Sequence, residues 1–107
     1  MGRYLFQATY SVDGIKGVLK EGGTGRRSAV EAALKGMGGK LEAMYFGFGE
    51  TDVYVLVDGI DHTTAAAFSM AVASTGTLSN LKTTVLLSPE EIDAAAKKTI
   101  SYRPAGR

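Results

Sequence analysis

Apolar and polar positions along the chain change period several times, and each change marks an element. Tyr4-Leu5-Phe6-Gln7-Ala8-Thr9-Tyr10 is rich in β formers and alternates large and small side chains, which predicts a first strand. Ser11 to Gly14 then turns the chain. Ile15, Val18 and Leu19 take helical spacing, in a short helix that ends at Glu21-Gly22-Gly23. Thr24 can cap a second helix from Arg26 to Met37, where Val30, Ala33, Leu34 and Met37 form one apolar stripe. Gly38-Gly39 stops that helix, because glycine tolerates the left-handed conformation of a C-terminal cap.

Leu41 to Phe48 and Val53 to Val57 are β-rich runs joined by Gly49-Glu50-Thr51-Asp52, which reads as a hairpin. Asp61 can cap the next helix, an almost unbroken series of small apolar residues from Ala65 to Ala73. Such a helix is expected to pack closely on more than one side. Leu81 to Leu87 supplies a fourth strand. Ser88-Pro89-Glu90-Glu91 combines a capping Ser, a first-turn Pro and the reciprocal Glu of a capping box, and opens a terminal helix reaching about Lys98.

Two strand-helix-strand units around a hairpin give an α+β domain of β-α-β-β-α-β order. This is the ferredoxin-like plan, a four-stranded antiparallel sheet with two main helices on one face. The other face is expected to be apolar as well. Val53, Val55 and Val57 oppose Tyr54 and Leu56 on the third strand, and Leu41, Ala43 and Tyr45 oppose Met44, Phe46 and Phe48 on the second. Soluble monomers rarely leave such a face wet, so a second copy of the chain is the expected partner, laid sheet to sheet.

Length and composition narrow the setting. A chain of 107 residues fits one domain, expected to have its core over about residues 3–98 and a tail over 99–107. Twelve basic and eleven acidic side chains leave a formal charge of +1. That is too little field to gather nucleic acid or anionic lipid. Cysteine is absent, which removes disulfides, thiolate metal sites and a cysteine nucleophile, and fits a reducing, cytoplasmic compartment. No signal-peptide pattern opens the sequence and no apolar run is long enough to span a bilayer.

Gly38 to Phe46, followed by Phe48-Gly49-Glu50-Thr51-Asp52-Val53, resembles the GYD domain family. Asp13-Gly14-Ile15, the Ala-rich helix, Lys82-Thr83-Thr84 and Ser88-Pro89-Glu90-Glu91 extend the resemblance from about Arg3 to Lys98. The family is bacterial and archaeal and mostly of unknown function. Its fold places it with the dimeric α/β barrels, so the resemblance implies pairing of sheets and no particular reaction. Thr51 stands where the family's usual Gly-Glu-Tyr-Asp hairpin has its tyrosine.

The chemistry-bearing residues are scattered. Glu50 and Asp52 flank the hairpin, where two carboxylates could act as acid and base or hold a cation; turn formation, with Gly49 supplying a positive φ and Asp52 bonding backbone N–H groups, is the plainer role. The pair offers too few oxygens for a hard metal, and neither metal nor cofactor is expected. His62 is the lone histidine, so imidazole catalysis or haem ligation would have to run through it; an exposed first-turn residue is the plainer reading. Gly22 to Ser28, with Arg26 and Arg27, could cradle an anion, although glycine clusters usually mark loops and the P-loop ending is absent. Tyr45-Phe46-Gly47-Phe48-Gly49 echoes the aromatic string of RNA-recognition motifs, but on the wrong strand and without a basic face.

Tyr4, Tyr45, Tyr54 and Thr83 or Thr84 could direct hydroxyls into a cavity between paired sheets. The leading expectation is a self-associating domain that holds a small apolar ligand. Two alternatives stand beside it. One is a cofactor-independent oxygenase or isomerase using Tyr45 or the hairpin carboxylates, in a closed pocket lined by those side chains. The other is a regulatory or assembly module with an effector at the Gly22 to Ser28 segment.

Overall fold

In a computed structural model, which describes residues 2–107, the chain runs β1 (Gly2–Tyr10), α1 (Val12–Gly36), β2 (Lys40–Phe46), β3 (Val53–Ile60), α2 (His62–Ala73), β4 (Leu78–Leu86) and α3 (Pro89–Ala96). All strand pairs are antiparallel and the sheet order is β2-β3-β1-β4. Placing the first and third strands at the centre makes this the ferredoxin-like arrangement.

Strand alternation builds the core. Tyr4, Phe6 and Ala8 of β1 and Val53, Val55 and Val57 of β3 are buried on the face that carries α1 and α2. Leu34 of α1 and Ala65 and Phe68 of α2 close over them, with the Phe68 ring edge-on to Phe6 at 5.0 Å.

The caps form as the sequence predicts. The Asp61 carboxylate accepts from the Thr64 N–H at 2.8 Å and is held below the usual carboxylate range by its hydrogen bonds with Thr64. Ser88 and Glu91 complete the reciprocal box on α3. At the end of α1, Gly38 takes φ 78° and donates to the Lys35 carbonyl while Gly39 donates to that of Leu34, a Schellman closure.

Four features depart from the sequence-based expectations. The segment read as helix, glycine loop and second helix does break at Gly22, whose φ 76° and ψ 170° kink α1, but the helix resumes at once and no loop separates the two parts. Thr24 therefore lies inside the helix and is not its cap. In the β2–β3 hairpin the positive φ belongs to Phe48, at 52°, and not to Gly49; the Phe48 ring stacks on Phe46 at 5.9 Å.

Helix α2 buries one side only, and Ala66, Ala73 and the 72% exposed Met70 face outward. The open sheet face, finally, is apolar only in part. Register places Ala43, Tyr45, Tyr54, Leu56 and Leu5 on it, but it also carries Gln7, Lys82 and Thr84 towards β4. Its end is closed by Arg3, which lies 3.2 Å from Glu42 and 3.8 Å from Asp58. The apolar alternation of β2 and β3 does not extend to the other two strands.

Candidate functional site

Between α1, α2 and the end of β1 lies an open cleft of about 610 Å³, within the range of small-molecule sites. Ala33 and Met37 of α1 face Ala67, Ala71 and Val72 of α2 across it, and Phe68 forms its floor. Beneath the floor a void of about 140 Å³ continues towards the sheet among Phe6, Ala8, Val53, Val55 and Leu81. Tyr10, Arg26, Ala33, Phe68, Val72 and Thr77 line both spaces, so the two are adjacent.

Local geometry explains why the cleft exists. Ser11 accepts from the Gly14 N–H and donates its hydroxyl proton to the Gly76 carbonyl, while its own N–H reaches Thr77. These bonds strap the start of α1 to the turn after α2. Gly14 makes that approach feasible, since a Cβ there would fall 2.0 Å from the Thr77 carbonyl oxygen and 2.9 Å from the Tyr10 ring. Small residues on the facing helix surfaces then leave the space unfilled.

Polar groups gather at one end of the apolar space. The Arg26 guanidinium lies 3.2 Å from the Glu21 carboxylate, across the kink at Gly22. Tyr10 stands beside Arg26. Burial pushes its phenol above the ordinary value, against an opposite pull from the Arg26 charge. Asp13 stands at the rim. Asp52 contributes from behind: its carboxylate accepts from the Tyr10 N–H at 2.9 Å, and its own N–H donates to the Ala8 carbonyl. It thereby fixes the end of β1 where the register shifts between Thr9 and Tyr10.

The residues singled out from sequence do not converge. Glu50 is exposed, and its carbonyl accepts from the Thr9 hydroxyl. Asp52 serves the backbone as described. Tyr45 pairs with Tyr54 across β2 and β3 on the open face, where they are 70% and 36% exposed. His62 is exposed at the far end of β3 from the hairpin. None of the three cavities described for the single chain, over residues 2–107, is lined by Glu50, Asp52 or Tyr45.

The hydroxyl set is divided by the sheet. Tyr4 and Thr83 lie on the helix face, with Tyr4 buried in the core and Thr83 hydrogen-bonded to Ser69 at 2.8 Å. Tyr45, Tyr54 and Thr84 lie on the other face. After the kink at Gly22 the segment to Ser28 is helix rather than a loop, and Arg26 lines the cleft. Tyr10 and Glu21 were not recognisable as site residues from sequence; the apolar parity of Tyr10 with Phe6 and Ala8 was the available signal. Among the described residues no cluster of three His, Asp or Glu side chains could hold a metal ion, and no helix is long and apolar enough to cross a membrane.

A model of one protein family, the GYD domain, matches residues 4–96. Comparison with the curated proteins and with the solved structures gives no match.

Proposed function

The chain belongs to the GYD domain family, and from that premise we propose that it is a self-associating binding domain that holds a small apolar molecule in the cleft between α1 and α2. The observation that carries this reading is the cleft itself, an unfilled apolar space walled by Ala33, Ala67, Ala71 and Val72 with hydrogen-bonding groups confined to one end. A few polar groups at the edge of an apolar cavity orient a ligand whose affinity comes mainly from buried surface. The second copy is proposed to cover the half of the open face that carries Ala43, Tyr45, Tyr54 and Leu56. We place the domain in the cytoplasm, where a cysteine-free chain needs no disulfide.

Naphthol serves as a probe of suitable shape. A ligand that binds only the native state raises the melting temperature, so naphthol is expected to raise that of the wild type. Ala33→Trp places an indole in the cleft from an exposed helix position, and is expected to abolish the rise. An equal rise in both proteins would put the ligand elsewhere.

A further inference from the structure

The charges around the cleft specify more than an apolar occupant. Its charged lining consists of Arg26, Glu21 and Asp13, two carboxylates against one guanidinium among the described residues. Arg26 and Glu21 already neutralise each other at 3.2 Å. A ligand carboxylate would have to displace Glu21 from Arg26 or sit beside it and Asp13, so like-charge repulsion in the partly exposed site is its obstacle. An ammonium group that reaches Tyr10 is brought against the Arg26 guanidinium, and the exposed Asp13 carboxylate offsets that only weakly.

An uncharged head group meets neither obstacle. The guanidinium offers N–H donors beyond the one facing Glu21, the Glu21 carboxylate retains free lone pairs, and the Tyr10 hydroxyl can donate or accept. We infer that the cleft selects an uncharged apolar molecule with one head group, such as a phenolic or alcoholic hydroxyl, that donates one hydrogen bond and accepts another at Tyr10, Arg26 and Glu21. The apolar body then lies on Phe68, between Ala33 and Ala71.

This inference rests on the binding reading above, and its test separates the two. Naphthol, naphthoate and naphthylmethylammonium share one body and differ in the charge of the head. Their affinities are measured by isothermal titration near neutral pH for the wild type, Glu21→Gln and Ala33→Trp. The wild type is expected to bind naphthol at least about tenfold more tightly than either charged probe. Glu21→Gln frees the Arg26 charge and removes a repelling carboxylate, and is expected to raise the affinity for naphthoate relative to naphthol by about tenfold. Naphthoate or the ammonium probe binding the wild type as tightly as naphthol would overturn the inference and leave the cleft reading standing. Failure of all three probes to bind, or binding unaffected by Ala33→Trp, would overturn both.

Discussion

Tyr10 shows how one residue links scaffold and site. Its N–H is bonded to Asp52, its ring lies against the Cβ-less Gly14, and its hydroxyl end shares the cleft with Arg26. The partly buried phenol keeps its proton more tightly in the folded chain than in the unfolded one, because burial disfavours the phenolate. The sign follows from linkage. The contribution to stability is fully present below about pH 10 and is lost as pH rises through the raised folded value. Denaturant titrations over the alkaline range are therefore expected to show a falling stability that Tyr10→Phe makes shallower. An unchanged slope in that variant would remove Tyr10 from the account. Asp52 illustrates a related point: a carboxylate that sequence offers as acid, base or cation ligand is engaged by a backbone N–H and serves to position a neighbour.

Helix α1 carries the device that brings Arg26 to Tyr10. Gly22 adopts a conformation open almost only to glycine, and the helix on either side changes direction there while Glu21 and Arg26 bridge the break. Gly22→Ala is expected to cost about 1–3 kcal/mol and to weaken naphthol binding more than Arg27→Ala, a nearby exposed control. Chemical denaturation and titration of both variants check this, and a neutral Gly22→Ala would contradict it. The element scale also shows what sequence could disclose. Asp61, Ser88 with Glu91, and Gly38-Gly39 act through bonds within a few residues of themselves, so their roles were legible. The break at Gly22 was legible too, but the helical state of Gly23 to Gly25 was not, because glycine lowers helix propensity without forbidding helix, and close packing decides. Gly23 lies where a Cβ would stand 3.4 Å from the Phe46 ring, a contact between elements far apart in sequence. The pairing of Tyr10 with Arg26 was hidden for the same reason. Polar Gln7, Lys82 and Thr84 on the open face became evident as a set only once register aligned β1 with β4.

At the scale of the whole molecule the chain is extended. The Cα radius of gyration is 16.7 Å, against about 13 Å for a compact chain of this length. Every residue from Pro89 to Arg107 is exposed, including Ile92, Ile100 and Tyr102, so α3 and the tail contribute length with little burial. The apolar half of the open face is the other unfinished surface. Light scattering at micromolar concentration is expected to give a mass above the 11.2 kDa of one chain, and Tyr54→Asp to return it to one chain; a monomeric wild type would refute self-association and leave the cleft untouched. The cleft is the central claim. Its most direct test is a naphthol titration followed by backbone amide NMR. The account predicts shifts concentrated at Gly14, Gly17, Arg26, Ala71 and Thr75, which surround the cleft. Shifts confined to Tyr45 and Tyr54 on the opposite face, or none at saturating probe, would contradict it.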